Sequence, residues 1–302
     1  MASGFNWESP ADQPGQDSKA MIELKRYKLT ATEKKDLENY LNQVGANPSL
    51  EQIWNLMDQA WHRAGCRQSN YEARNYNRFY ADPVWLLNGI YIEQDPVSMG
   101  HRHSIANAVA SLGPKRILDF GGGFGTLARL MADRLPASQI FIYDPFPPAH
   151  GVEICKPYPN ITYIDTLTAH QYDALVCTDV LEHLHDPLCL LAELVETVKP
   201  RGHLFIANCF EPVILCHLPC TFHLRYFFSW CVKPLGLHKI GHCQGSHAWI
   251  YQRSSEEAPN LSRARLHETL AKALHPLLSW LVLTARHMVR ALRKLPIFGA
   301  AR

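Results

Sequence analysis

The sequence predicts an α/β protein: a doubly wound, mostly parallel sheet of seven strands with the last strand antiparallel, a helical N-terminal addition and a basic helical C-terminal extension. Three observations predict it. From Ile105 onward, strand-like and helix-like segments alternate, which is the pattern of a parallel sheet covered by helices on both faces. The stretch RILDFGGGFGTLARL, Arg116 to Leu130, runs from an apolar strand through a glycine cluster into a helix, the form of a nucleotide-binding turn. Two capped amphipathic segments precede this region and a basic segment follows it.

The N-terminal helices come first. Thr30 with Glu33 forms a capping-box pattern, Leu37, Tyr40, Leu41 and Val44 make one apolar face, and Gly45 stops the helix. Ser49 with Gln52 repeats the signal, Leu50, Ile53, Trp54, Met57, Ala60 and Trp61 supply the second face, and Gly65 closes it. The aromatic segment NYEARNYNRFYADPVWLLNGIYIEQDP follows. Most of its rings are expected to pack on the main domain, and a competing reading makes it a lid over the acceptor. Next come a helix over Ile105–Leu112, a strand over Arg116–Asp119, a helix over Thr126–Leu135, and strands over Gln139–Tyr143, Ile161–Ile164 and Ala174–Cys177. A helix over Pro187–Val198, a strand over His203–Ala207 and a helix after Leu224 complete the alternation, and LHKIGH and SHAWIYQR end the sheet as a hairpin.

The resulting division is 1–20 disordered, 21–100 a helical and aromatic cap, 101–253 the sheet domain, and 254–302 the basic extension. Residues 1–20 are polar and have neither a basic start nor an apolar core, so they do not read as a signal peptide. A net charge of +2 gives no specific nucleic-acid signal. No apolar run reaches the roughly 18 residues of a membrane span. With nine cysteines and no sign of export, reduced thiols in a cytoplasmic protein are expected.

The glycines are Gly121, Gly123 and Gly125, with Gly122 in addition, and Thr126 stands where a dinucleotide fingerprint needs its last glycine. Asp119 ends the first strand just ahead of the turn. A carboxylate there repels a pyrophosphate and favours a cationic ligand. S-adenosylmethionine, with its sulfonium and ammonium, suits it, and the glycines let backbone approach the ligand closely. Asp144 ends the second strand about 20 residues past the loop, where a ribose-binding acid is expected, and it also starts the turn DPFPP.

These residues carry a family resemblance. DFGGGFG resembles the D-x-G-x-G-x-G loop of class I S-adenosylmethionine-dependent methyltransferases, a Rossmann-like family. YDALVCTDVLEHLHDP resembles its fourth-strand segment, VKPRGHLFIA its fifth strand, and FHLRYFFSWCVKPLGLHKIG the stretch that follows. The match covers roughly Ile105 to Arg253. The resemblance implies that Asp119, Gly121, Gly123 and Gly125 bind the methionine part and Asp144 the ribose. It further implies that Asp165 contacts the adenine and that Asp179 belongs to the cofactor site. The N/D-P-P-Y/F stretch of amino-methylating nucleic-acid enzymes follows the fourth strand, whereas DPFPP follows the second, so that reading is rejected.

Oxygen acceptors need a base or a metal to take up a proton, and Glu182, His183 and His223 are the candidate catalytic residues. Asp179, Glu182 and His183 have the i, i+3, i+4 spacing of one helical face. With His223 they resemble the D/E-x-x-E-H…H pattern of metal-assisted O-methyltransferases of the ubiquinone-pathway type, so a divalent metal is an optional cofactor. The alternative makes Glu182 and His183 helix-start residues that line the acceptor pocket through hydrogen bonds. Cys216, Cys220 and His223 lack a paired C-x₂-C knuckle, and the apolar neighbours Leu215, Leu218 and Phe222 make the cysteines read as ordinary buried thiols.

From Asn260 to Arg302 the chain carries Arg263, Arg265, Lys272, Arg286, Arg290, Arg293, Lys294 and Arg302 against Glu268 alone, around the apolar PLLSWLVLTA. Peripheral membrane contact and packing on the main domain are both expected outcomes of such a helix. The function expected is methylation, O-directed, of a small-molecule or glycan/glycolipid acceptor. The alternatives are a non-catalytic S-adenosylmethionine-binding partner subunit and an NAD-dependent oxidoreductase. The sequence leaves the oligomeric state open.

Overall fold

The computed structural model describes residues 21–254 and 257–293. The expected disorder of residues 1–20 therefore lies outside the described residues. Both capping boxes form: Glu33 N donates to Thr30 Oγ1 at 3.2 Å while Thr30 N donates to Glu33 Oε2 at 2.8 Å, opening α1 (Ala31–Val44). Ser49 and Gln52 do the same for α2 (Leu50–Ala64), and Gly45 and Gly65 end the two helices at positive φ. The aromatic segment is two helices, α3 (Ala73–Tyr80) and α4 (Val84–Gln94). The α4 sequence VWLLNGIYIEQ is apolar almost all round, so it shows no helical period despite being helical. α5 (Pro96–Leu112) starts well before Ile105, capped by Asp95 with Pro96 at its first position.

The sheet follows. β1 (Arg116–Phe120) leads through the glycine loop to α6 (Thr126–Arg134), then β2 (Gln139–Tyr143), an unanticipated short α7 (Ala149–Cys155), β3 (Ile161–Ile164) and β4 (Tyr172–Thr178). A 3-10 turn at Leu181–His183 precedes α8 (Pro187–Thr197) and β5 (Val198–Ala207). α9 (Leu224–Cys231), β6 (Leu237–His242), β7 (Trp249–Arg253) and α10 (Leu261–Arg293) complete the chain. Strand order is β3-β2-β1-β4-β5-β7-β6, with all neighbours parallel except β7, which runs antiparallel to both β5 and β6.

The strand order reverses between β1 and β4, and the carboxyl ends of these two strands define the crevice in which such folds bind ligands. One face of the sheet packs on α8, α9 and the start of α10, through Leu188, Leu191, Leu224 and Ala264. The other packs on α5 and α6, through Ile105, Val109, Leu127 and Met131. The N-terminal helices form a third apolar cluster that takes in Phe124 of the glycine loop and Ile214, Cys216 and Leu218 from the segment after β5. That cluster fixes the cap over the carboxyl edge of the sheet. All nine cysteines are free thiols. Among the described residues no helix is long and apolar enough to cross a membrane.

Candidate active site

The glycine loop is clamped between the ends of β2 and β4. Gly121, Gly123 and Gly125 have φ of +71°, +46° and +70°, a region that side chains with a Cβ rarely adopt. Gly121 N donates to Tyr143 O at 2.8 Å and Gly123 N to Asp144 Oδ2 at 2.8 Å. A Cβ on Gly122 would lie 2.8 Å from Asp119 Oδ2. Asp119 is thus not open to the crevice; it lies beneath the loop at 1% exposure, and its Oδ2 is buried without a hydrogen bond. Burial pushes its pKa up to about 7, Arg102 opposing and Asp144 adding to the rise. An acid held so dry is stabilised as the anion by a cation placed above it and destabilised by a phosphate.

Asp144 starts the DPFPP turn as the sequence suggested, and it also anchors the glycine loop. It accepts from Gly123 N and, through Oδ1, from Phe146 N at 2.8 Å, so the same carboxylate anchors the loop and the DPFPP turn. Burial raises its pKa and those two N–H groups oppose the rise. Asp165 is exposed just past the end of β3, the edge strand. Asp179, past the end of β4, has φ +55° and donates its N–H to Ala207 O at 2.9 Å. Its Oδ1 lies 3.2 Å from His247 Nε2. The crevice walls desolvate Asp179, but the hydrogen bond and charge of His247, with Arg102 and His217, outweigh this and hold the carboxyl below its usual range.

The helical face expected from Asp179, Glu182 and His183 does not form. Asp179 adopts a left-handed conformation and turns to His247, and a 3-10 turn carries Glu182 and His183. The segment after β5 wraps around that turn: Cys209 N donates to Glu182 Oε1 at 2.7 Å, and Leu218 N to Glu182 O at 2.9 Å. This wrapping brings in His217, so that single ligand atoms from Glu182, His183 and His217 all lie within 4.8 Å of one another. It is the one such group of potential metal ligands among the described residues. His223 is a correction to the expected site. It sits at the start of α9 with Nε2 3.4 Å from Glu268 Oε1 of α10, and it holds that helix to the body instead of facing Glu182. Cys216 and Cys220 do not converge with it either; Cys216 is buried as expected, whereas Cys220 is exposed, a correction to the reading of both as buried thiols.

The two ring orientations are set by backbone. His183 Nδ1 lies 3.2 Å from Cys216 O and His217 Nδ1 2.9 Å from Glu211 O. A carbonyl only accepts, so each Nδ1 carries the proton and each Nε2 keeps its lone pair. Burial lowers the His183 pKa to about 3, with His217 adding to the effect, and burial also lowers that of His217. Burial drives the Glu182 carboxyl well above its usual range, Asp179 adding to the rise and Cys209 N–H opposing it. Glu182 Oε2 is fully buried and lacks a hydrogen bond.

An aromatic wall runs from these histidines to the β2 turn. Trp85 meets His183 edge-on at 6.3 Å, Tyr80 stacks on Trp85 at 5.1 Å, and Phe146 stacks on Tyr80 at 5.2 Å. The aromatic segment therefore both packs, through Tyr76 and Phe79, and lines the crevice. His217, Arg102, His247, Tyr80, Trp85 and Phe146 were not singled out from sequence. His217 carried a partial signal, because HLPCTFH offers two histidines six residues apart and spacing alone does not choose between them.

A family described as a methyltransferase domain matches residues 99–230. The chain carries a class I, S-adenosylmethionine-dependent methyltransferase domain. The domain is similar to ubiquinone biosynthesis O-methyltransferase of Vibrio cholerae serotype O1, at 29% identity over 137 residues, 41% of this chain and 54% of that one. It is also similar to the enzyme of that name from Aeromonas salmonicida, at 31% over 137 residues, 41% and 56% of the two chains. The chain spans about half the length of the curated relatives it matches. Among solved structures, human N-acetylserotonin methyltransferase aligns over 77% of this chain and 74% of its own, at 14% identity and a TM-score of 0.47.

Proposed function

We propose that this protein transfers a methyl group from S-adenosylmethionine to an oxygen atom of a small-molecule or glycan acceptor, with Glu182, His183 and His217 on the acceptor side. The observation that carries the reading is the convergence of those three side chains beside the carboxyl end of β4. The donor fits the loop on three counts: a glycine cradle, a dry Asp119 that favours a cation, and Asp144 in the position of a ribose acid. Methyl transfer is an in-line displacement at a carbon the sulfonium already activates, so the protein's main tasks are alignment and water exclusion. The aromatic wall of Tyr80, Trp85 and Phe146 serves both.

An acceptor hydroxyl must also lose its proton. With a pKa near 3, His183 is a weak base at neutral pH, and this favours a ligand role for it over a general-base role. Two neutral imidazoles and a buried carboxylate oxygen without a partner fit a divalent cation. Such a cation, when bound, lowers the pKa of the acceptor hydroxyl. The residues' own parts are then plain: Glu182 supplies charge, His183 and His217 supply lone pairs, and the Cys216 and Glu211 carbonyls hold the tautomers.

The test is transfer of radiolabelled methyl from S-adenosylmethionine into a metabolite and glycan extract, in excess EDTA and after addition of Mg²⁺, Mn²⁺ or Zn²⁺. Incorporation that EDTA abolishes and a metal restores is expected. Full incorporation in EDTA ends the metal part. Cofactor binding without any transfer makes the protein a non-catalytic binding partner.

A further inference from the structure

α10 has two unlike sides. Its first turns dock on the body: Ala264 and Ala271 are fully buried, and Glu268 is held by His223, by Arg265 at 2.9 Å and by Lys272 at 3.0 Å. His267 stacks on Trp230 with ring centroids 4.3 Å apart, and Arg265 also pairs with Asp186. On the other side Leu266, Leu270, Leu274, Leu277, Leu281 and Met288 are all exposed, between 46% and 59%. Their spacing of four, four, three, four and seven residues is one stripe at 100° per residue, and it lies across the helix from Ala264, Glu268 and Ala271. Trp280, 61% exposed, borders it. A continuous apolar stripe of this length facing away from the protein marks an interaction surface.

Charge selects the occupant. After Glu268 the chain has no acidic residue, and it carries Lys272, Arg286, Arg290, Arg293, Lys294 and Arg302. Arg286, Arg290 and Arg293 follow i, i+4, i+7 spacing in the sequence of the helix. Anionic headgroups complement both properties: leucines and a tryptophan enter the acyl boundary while cations meet phosphates. We propose that α10 docks the protein on an anionic lipid surface through the Leu266–Met288 stripe, lying in the interface and not crossing it.

The test is flotation of the full-length protein with phosphatidylcholine vesicles, with and without phosphatidylglycerol, in low and high salt. Two variants accompany it: Leu277→Glu/Leu281→Glu, which alters only exposed side chains, and Arg286→Gln/Arg290→Gln/Arg293→Gln. The wild type is expected to float with the anionic vesicles about tenfold or more above the neutral ones, a preference that high salt and the arginine variant reduce. The leucine variant is expected to lose about tenfold or more of its binding. Far-UV circular dichroism of both variants checks folding, and if the leucine variant misfolds, the salt and arginine arms decide. A wild type that ignores vesicles, or floats equally with both kinds, overturns the proposal. So does a concentration-dependent dimer, seen by sedimentation equilibrium, that the leucine variant abolishes while vesicles are ignored.

Discussion

The rings of His183 and His217 stand edge to face, with 5.1 Å between centroids and 79° between planes, and each directs Nδ1 to a backbone carbonyl. Thirty-four positions separate them in the chain, and the wrapping of the post-β5 segment around Glu182 closes that gap. The placement makes a clean separation of two histidines. His217→Ala is expected to lower kcat about 100-fold or more. His223→Ala is expected to leave kcat within a few-fold and to lower stability by about 1–3 kcal/mol, because it leaves a buried carboxylate short of a partner. Steady-state methyl transfer and urea melts of both variants check this; the reverse pattern restores His223 to the site.

Glu182 gives a pH prediction. Its folded pKa is raised above the unfolded value, so the native state binds more protons between the two, and stability falls as pH rises through that window. Melting midpoints of chelator-treated protein from pH 5 to pH 9 should therefore decline. Glu182→Gln, which keeps an acceptor for Cys209 N–H, should flatten the curve, and Mg²⁺, Mn²⁺ or Zn²⁺ should raise the midpoint of the wild type but not of the variant. A midpoint that responds equally to metal in both contradicts the assignment.

Much of the fold was legible because it rests on local, periodic signals. β2 and β3 begin and end where alternation and turn residues put them, and the capping boxes at Thr30 and Ser49 are side chain-to-backbone bonds that four residues suffice to specify. α4 was not legible, since a helix buried on all sides loses its period, and α7 was hidden behind a proline-rich turn. In the site, the loop glycines and Asp144 are contiguous with strand ends and could be located from sequence. His217 could not, because its place depends on the long-range bonds from Cys209 N and Leu218 N to Glu182. The helical spacing of Asp179, Glu182 and His183 misled, because the residue after β4 takes a left-handed turn that breaks the face.

Asp119 ties cofactor binding to protons. With its pKa near 7, it is about half protonated at neutral pH, and a bound sulfonium and ammonium should ionise it. Calorimetry with S-adenosylmethionine near pH 7, in buffers of different ionisation enthalpy, should show release of up to one proton. Asp119→Asn should abolish the release and weaken binding. No buffer dependence in the wild type contradicts the role given to this acid.

The loop should tolerate no methyl group. Gly125→Ala puts a Cβ 2.5 Å from Cys155 Sγ at a φ of +70°, and Gly122→Ala puts one against Asp119 Oδ2. Each is expected to cost about 1–3 kcal/mol of stability and at least about tenfold in S-adenosylhomocysteine affinity. Wild-type affinity in a folded Gly122→Ala variant would count against the cradle.

Glu268 reports on α10. Burial alone would raise its pKa, but bonds from His223, Arg265 and Lys272 outweigh that and bring it to about 2. The unfolded state then binds more protons between the two pKa values, so this stabilisation is present above about pH 4.5 and is lost as pH falls towards 2. Glu268→Gln should melt below the wild type at pH 7, and the gap should narrow below about pH 4.5 and close only as pH falls through about 2. A gap that does not depend on pH would show that the carboxylate's charge is not what anchors the helix.

The central claim is that the glycine loop over a dry acid holds a sulfonium compound and not a diphosphate. Isothermal calorimetry of the purified full-length protein against S-adenosylhomocysteine and against NAD tests it most directly. Saturable heat with S-adenosylhomocysteine and none with NAD is the predicted result; saturable binding of NAD by a protein silent towards S-adenosylhomocysteine contradicts the account.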